Sequence, residues 1–497
     1  MVSKIGKVYM MSRAHVLCFA LLCMDHSVPT GGNPSEPPSP ALNTNTLLSP
    51  IQRLPYEILS DIFILSIPDN LQEGWRSKTH NFQCAVMLPG SICRHWRDVA
   101  LSTPRLWSSI RLQLNLSTVD AHVKLTQVWL SRSGKHPLSL QLDGRWYGFH
   151  DPFAIHPVLG VITPHAERWQ HVDFEMSYAM WNRTRPAKYH LIHLRTLLVS
   201  DLCFLPRWTT PIDTFEVAPR LANLTMRFNT SSYTLAAPWT QISTLVSNGP
   251  SLDEFHEALR GAPNITECGV YIDHYGRRLD PSYTIIQHAH LQILKVDARI
   301  DSGPLFNRLS LPALRYFDYN EAFAPTPWPQ RQFVSLISRS GCSLEKLVLH
   351  FQHWLLDDDL IECLRHMPSL THLQLNLHSS AAMTDKTLAQ LTRPNSILLS
   401  ERTSYLVPKL EFIDLSLCNQ FYGEGLAGMI ESRRRFSDTM QDSDIQHPHM
   451  SLLKTLRLNL DGCVGELSSS AILRLRNCAR EGLYVCGVQL DHDGEAS

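Results

Sequence analysis

What this 497-residue sequence lacks narrows its function before any feature is considered. It has almost no net charge: 45 basic residues meet 46 acidic ones, leaving −1 and a pI near 7.1. No global basic field therefore draws the chain to nucleic acid or to an acidic membrane. The apolar run from Val16 to Met24 has nine residues, against the roughly 20 that a membrane-spanning helix needs. The twelve cysteines form neither CxxC pairs nor a regular framework. That usage fits reduced, mostly buried thiols in a cytoplasmic or nuclear protein better than a disulfide scaffold. No P-loop, GxSxG or HExxH sequence occurs, so the commonest local signatures of phosphate binding, acyl transfer and zinc proteolysis are missing.

The N-terminus carries the layout of a secretory signal, with Lys4, Lys7 and Arg13 ahead of the apolar run. It lacks a small-x-small cleavage site before His26. Five Asn-x-Ser/Thr sequons, at Asn115, Asn182, Asn223, Asn229 and Asn264, belong to the same secretory alternative. Such triplets also arise by chance in a chain of this composition. Residues 29–50 are rich in Pro, Ser, Asn and Gly. That composition cannot build a core, so residues 1–50 read as a disordered leader.

Ordered structure begins after it. Leu54, Ile58, Leu59, Ile62, Phe63 and Ile67 recur at helical spacing and make one apolar face. Pro55 suits the first turn, Glu57 suits the positive helix end, and Pro68-Asp69-Asn70 stops the helix. Residues 69–85 are mixed and polar, which predicts a loop. A second amphipathic helix is predicted over about 90–101, with Ile92, Trp96, Val99 and Ala100 on one face and Thr103-Pro104 ending it. Two short helices cannot bury both of their faces, so a partner or the next domain must cover them.

The ordered positions Leu54-Pro55-x-Glu57-Ile58-Leu59-x-x-Ile62-Phe63, Ile92-Cys93-Arg94-x-Trp96-Arg97 and Pro104-x-Leu106-Trp107 resemble an F-box. The resemblance spans residues 51–110. It implies a small helical trio that binds the Skp adaptor and hangs a substrate receptor on a cullin–RING ubiquitin ligase. It also implies that Leu54, Pro55, Ile58, Leu59, Ile62 and Phe63 contact the adaptor. Ile92, Cys93, Trp96, Leu106 and Trp107 would then form the F-box core. The segment between the halves is longer than in a compact F-box by roughly a dozen residues, an extension that loop-closure entropy tolerates. This insertion, with the continuation VKLTQVWLSRSGKHPLSLQLDG, is similar to the large F-box families of mushroom-forming fungi.

Residues 111–165 read as a linker with the first strand and helix units. Val123, Leu125, Val128, Trp129 and Leu130 predict a helix over 121–131, and Leu138, Leu140 and Leu142 alternate as a half-buried strand. A further helix is predicted around Ile155 to Ile162.

From residue 166 to 490 the chain repeats an apolar-x-x-apolar-x-apolar pattern. The units are Trp169/Val172/Phe174, Leu194/Leu197/Val199, Leu221/Leu224/Met226, Ile265/Cys268/Val270 and Leu291/Leu294/Val296. They continue with Leu314/Phe317/Tyr319, Leu344/Leu347/Leu349, Leu370/Leu373/Leu375, Leu410/Ile413/Leu415 and Leu453/Leu456/Leu458. The spacing centres on about 26 residues, the signature of leucine-rich repeats. No unit can bury its own strand face, so stacking must make a continuous core and a parallel sheet. The wide gap before Ile265 has room for one more unit, at Leu252/Phe255. Asp357–Arg365 and Asp385–Leu391 read as intervening helices that begin on acids. Cys418 fits the Cys/Asn position of the repeat consensus, whereas His378 and Asp461 do not, so the repeats are irregular. Residues 432–450 read as an exposed loop, LYVCGVQL as a last strand and 491–497 as a tail. The expected fold is therefore α/β: a helical F-box followed by an irregular leucine-rich-repeat solenoid, a horseshoe with parallel strands.

Few residues suggest chemistry. Gly423-x-Gly425-x-x-Gly428 spells the dinucleotide fingerprint, but a lone short match favours a loop entering a repeat helix. The pairs His190/His193, His288/His290 and His447/His449 lack further ligands at zinc-site spacing. Asp357-Asp358-Asp359 lacks the glycine and distal glutamate of a calcium loop and reads as a helix cap. The run Arg433-Arg434-Arg435 reads as a solvated turn.

The expected function is a non-catalytic substrate receptor, with no cofactor and no metal. Its partners would be the Skp adaptor, the cullin scaffold and an unidentified protein substrate, with neither nucleic acid nor membrane. The alternative is a leucine-rich-repeat protein-binding module without a ligase link, secreted or not. An enzyme built around the Gly423 loop is the third reading.

Overall fold

The alternating apolar positions read from the sequence become strands whose alternate side chains are buried. In the computed structural model the described residues are 54–67, 80–144, 154–201, 211–228, 235–248, 251–273, 284–321, 328–351, 355–377, 383–393, 406–416, 423–434, 451–459 and 467–487. The leader, the 69–79 segment, His378, Cys418, Asp461, the His447/His449 pair, Arg435 and the tail lie outside them. The chain divides into two compact units, Met1–Leu221 with Ser232–Pro238, and Ala222–Ser231 with Trp239–Ser497.

The first unit opens with helices α1 (Tyr56–Leu65), α2 (His80–Ile92) and α3 (Arg94–Leu101) and a 3-10 turn, Pro104–Trp107. Next come β1 (Ser109–Gln113), α4 (Val119–Arg132), β2 (Leu138–Asp143) and α5 (Val158–Ile162). The unit continues with β3 (Trp169–Met176), α6 (Tyr178–Arg183) and β4 (Thr196–Asp201). The four strands pair in parallel and in chain order. Register places Ile110, Leu140, Val172 and Leu197 in one column and Leu112, Leu142, Phe174 and Val199 in the next. All eight are buried.

Two expectations change here. The predicted loop over 69–85 gives way to helix from His80, and the predicted helix over 90–101 is two helices. α2 runs through Pro89 and Gly90, the residues that mimic a helix start in sequence. The break falls at Cys93, whose backbone is extended (φ −152°, ψ 170°). The Trp96 amide donates to its sulfur at 3.4 Å, so Cys93 caps α3.

The second unit starts with β5 (Asn223–Phe228), β6 (Thr244–Asn248), α7 (Leu252–Gly261), β7 (Glu267–Ile272), β8 (Ile286–Gln287) and β9 (Ile293–Ala298). α8 (Gly303–Arg308), β10 (Leu309–Ser310), β11 (Tyr316–Glu321), α9 (Gln330–Ser340) and β12 (Lys346–Phe351) follow. It ends with α10 (Asp357–Arg365), β13 (His372–Leu377), α11 (Asp385–Leu391), β14 (Phe412–Ser416), α12 (Gly423–Arg434), β15 (Thr455–Asn459), α13 (Ser469–Arg480) and β16 (Tyr484–Cys486). The main strands are parallel and sequential from β5 to β16, while β8 and β10 form a separate two-stranded ribbon. Cys268, Leu294, Phe317, Leu347, Leu373, Ile413 and Leu456 stand in one register column, each at most 1% exposed. The fold is thus mixed α/β with parallel strands, and the second and third apolar positions of all ten predicted units lie on strands. The extra unit expected at Leu252/Phe255 is helix α7; the strand sits earlier, at Thr244–Asn248.

Buried or bridging polar side chains tie several helices of the second unit to their neighbours. The Asp357 carboxylate accepts from the Thr384 amide at 3.0 Å and the Thr384 hydroxyl at 2.6 Å, linking α10 to the start of α11. The Arg339 guanidinium donates to the carbonyls of Phe306 and Leu309, both at 2.6 Å. Arg474 of α13 bridges Glu424 (2.9 Å) and Glu431 (2.7 Å) of α12. The two carboxylates raise its already high pKa.

Candidate functional site

Two surfaces stand out, one on the helical trio and one on the sheet of the second unit. In the trio, Leu59 and Phe63 are 0% and 2% exposed. The Phe63 ring packs on Trp96 with centroids 5.0 Å apart, joining α1 to α3. The Tyr56 hydroxyl donates to the Ser102 carbonyl at 2.5 Å, and Arg97 Nε donates to the Gly90 carbonyl at 2.8 Å. Leu106 and Trp107 complete the interior. Trp107 Nε1 donates to the Ala100 carbonyl at 2.8 Å, and its ring meets Trp129 of α4 edge-on at 5.5 Å. The Arg132 guanidinium lies 4.4 Å from the Trp107 ring centroid. The trio is therefore seated on the first strand–helix element through Trp107.

This interior leaves other apolar side chains in water. Ile58 and Ile62 of α1 are 47% and 43% exposed, Leu65 is 83%, and Leu88 and Ile92 of α2 are 56% and 55%. Pro55, the N-cap of α1, is exposed and Leu54 is half-buried. The expected contact set thus separates into two groups. Leu54, Pro55, Ile58 and Ile62 face solvent at least in part; Leu59 and Phe63 belong to the interior, because a helix turns successive residues by about 100° and only one stripe faces α3. Of the expected core, Trp96 and Cys93 are half-buried and Leu106 and Trp107 buried, whereas Ile92 projects outward from the last turn of α2. Leu65 and Leu88 were missed; for Leu88 the apolar run Val86-Met87-Leu88 was the signal, hidden by the Pro89-Gly90 break.

The second surface follows from strand register. On the face opposite the buried columns, one row reads Glu267, Ile293, Tyr316, Lys346, His372, Phe412, Thr455, Tyr484. A parallel row carries Tyr271, Asp297, Asn320, His350, Asn376, Ser416 and Asn459. Lys295 bonds Glu267 at 2.8 Å, and Asn320 Nδ2 donates to Asp297 at 2.7 Å. Lys346 Nζ sits 4.4 Å from the Tyr316 ring centroid, and His372 stacks on Phe412 at 5.4 Å. Burial and the neighbouring Lys346 lower the pKa of His372. The face mixes aromatic, amide and oppositely charged groups, so it has no single-sign field.

The other singled-out residues have structural surroundings. Gly423, Gly425 and Gly428 all lie inside α12. A Cβ on Gly423 would approach Leu467 at 3.0 Å and Ala471 at 3.2 Å, and one on Gly425 would meet Asp385 Oδ1 at 2.5 Å. These glycines let neighbouring segments approach α12 closely. Arg433, expected in a solvated turn, is 4% exposed. It donates to the carbonyls of Leu391 (2.8 Å), Leu406 (3.0 Å) and Val407 (3.2 Å), so backbone acceptors at the end of α11 and ahead of β14 hold it inside. Asp357 to Asp359 occupy the first turn of α10 behind the N-cap Leu356. His288 Nε2 donates to the Ala262 carbonyl at 2.8 Å, and His193 lies 3.3 Å from Arg220. Among the described residues no three His, Cys, Asp or Glu side chains converge for a metal ion, and no helix is long and apolar enough to cross a membrane.

No protein-family model matches the chain, and a search of curated proteins finds no match.

Proposed function

We propose that the chain is a substrate receptor of a Skp–cullin–F-box ubiquitin ligase. The observation that carries the reading is a helical trio with a finished interior and unneeded apolar side chains outside it. Leu59, Phe63, Leu106 and Trp107 fill the inside, yet Ile58, Ile62, Leu65, Leu88 and Ile92 stay in water. Clustered exposed apolar residues of this kind mark interaction sites. In the resembling family this is where the Skp adaptor docks, with Leu54 and Pro55 leading into α1. The strand–helix units are read as irregular leucine-rich repeats, and the mixed aromatic and polar sheet face suits a protein substrate. The receptor would act by effective concentration, holding substrate near the charged ubiquitin carrier, without catalysis or a cofactor of its own. Its compartment would be cytoplasm or nucleus, where the ligase operates.

The test is co-purification of the full chain with a purified Skp adaptor. Ile58→Asp together with Ile92→Asp should abolish capture while the circular dichroism and melting temperature stay near wild type. Undiminished capture by that double variant would remove the docking assignment.

A further inference from the structure

Lysine is ordinarily among the commonest residues of a protein, yet this chain has 11 lysines against 34 arginines. Residues 8–77, 189–294 and 455–497 contain arginine and no lysine. Both side chains are cations, but arginine keeps its proton and only lysine is an acceptor for ubiquitin. Eight lysines lie among the described residues. Four of them are ion-paired: Lys188 with Asp213 (3.1 Å) and Glu216 (2.6 Å), Lys295 with Glu267 (2.8 Å), Lys386 with Asp358 (2.5 Å) and Lys454 with Glu411 (2.7 Å). A fifth, Lys346, is held over the Tyr316 ring. An amine must shed its proton before it attacks, and carboxylate partners oppose that; Glu216 and Asp213 raise the Lys188 pKa. Lys124 of α4, Lys135 just beyond it and Lys409 ahead of β14 are exposed and make no ion pair with a described residue.

We propose that arginine stands in for lysine to shield this receptor from its own ligase, leaving Lys124, Lys135 and Lys409 as the chief ubiquitin acceptors of the two compact units. The proposal rests on the ligase reading above. At these three residues the neutral Nζ attacks the thioester carbonyl of the charged ubiquitin carrier. A C–N isopeptide bond forms, the C–S bond breaks, and the departing carrier thiolate takes the proton that the amine gives up. An exposed ion pair withholds an amine only about fivefold, so most of the shielding comes from the missing lysines.

The test reconstitutes the full chain with Skp adaptor, cullin–RING scaffold and charged carrier, and maps modified lysines by mass spectrometry. Lys188, Lys295, Lys346, Lys386 and Lys454 should each carry about fivefold less ubiquitin than Lys124, Lys135 or Lys409. Lys124→Arg with Lys135→Arg and Lys409→Arg should lower conjugation on the compact units about fourfold, the share those three then hold. Arg220, Arg260 and Arg480 are exposed and lie in lysine-free stretches. Arg220→Lys with Arg260→Lys and Arg480→Lys should about double conjugation by adding three open acceptors to these units. Both triple variants exchange one exposed cation for another, and unchanged circular dichroism should show that they fold. Equal modification of the held and the open lysines, or no ubiquitin on the three added ones, would overturn the proposal while adaptor capture leaves the ligase reading standing. Absence of adaptor capture by the wild type would overturn that reading and the proposal with it.

Discussion

Ile62 and Phe63 are neighbours in α1 with opposite surroundings, and substituting each in turn separates docking from folding. Phe63 is 2% exposed and packs on Trp96 at 5.0 Å. Phe63→Ala removes that ring contact and opens a cavity, a change that costs about 3–5 kcal/mol in a packed core. Ile62 is 43% exposed, so roughly half of the 1.5–3 kcal/mol worth of a buried aliphatic side chain is at stake, or about 1 kcal/mol for Ile62→Asp. The order reverses for binding. A central apolar residue in an interface contributes about 2 kcal/mol or more, which is roughly 30-fold in affinity. Hydrogen exchange of the α1 amides reads local stability, and titration with the Skp adaptor reads docking. Phe63→Ala should accelerate α1 exchange by two orders of magnitude or more, since every 1.4 kcal/mol is about tenfold. Ile62→Asp should leave exchange within about tenfold of wild type while lowering adaptor affinity about 30-fold. If Ile62→Asp opened α1 as far as Phe63→Ala, or left adaptor affinity within threefold, the division between face and interior would be refuted.

Three further perturbations address the second unit. Arg433→Leu takes the guanidinium from the carbonyls of Leu391 and Leu406, while that of Val407 keeps the Leu410 amide; urea denaturation should show a loss of about 2 kcal/mol or more, given about 1–3 kcal/mol per unsatisfied buried group. Arg433→Lys should recover only part of it, because one ammonium cannot reproduce the planar fork. His256 is buried, and burial with the adjacent Arg308 and Arg260 pushes its pKa down to about 3. The unfolded chain therefore takes up a proton that the native state refuses. The His256 contribution is complete above pH 6.5 and is lost, by about 1.4 kcal/mol per pH unit, as pH falls from 6.5 towards 3. His256→Gln should flatten urea midpoints measured between pH 7 and pH 4. Gly423→Val drives branched methyls towards Leu467 and Ala471 and should lower stability by about 1–3 kcal/mol through overpacking. A dinucleotide titration of the wild type should show no binding, and a saturable signal would revive the fingerprint reading.

How much the sequence disclosed depended on what decides each element. Where alternation alone decides, as at Leu373/Leu375 or Ile413/Leu415, a strand was legible without its partners. β6 escaped because its third inward position is Ser247, buried at 0% exposure, which breaks the apolar pattern that Ile242 and Leu245 begin. Its neighbours Leu224/Met226 and Cys268/Val270 hold it in register regardless, so tertiary context replaced the missing side chain. The same reasoning explains α2, where packing against α3 carries a helix through Pro89 and Gly90. The 3.6-residue period exposed the apolar stripe of α1 but could not divide it, since Ile62 and Phe63 differ only in which side of the stripe meets Trp96. Arg433 was the least legible. Its position is set by three carbonyls that are 42, 27 and 26 residues away in sequence. A triplet of arginines looks solvated from any local window, and only the closing of α12 onto the segments before β14 supplies the acceptors. The docking face obeys the opposite logic, because it is defined by what the fold leaves uncovered. Sequence supplies the apolar residues, but the absence of a covering element among the described residues emerges only once Leu59, Phe63, Trp96 and Trp107 have closed the interior without Ile58, Ile62 or Ile92.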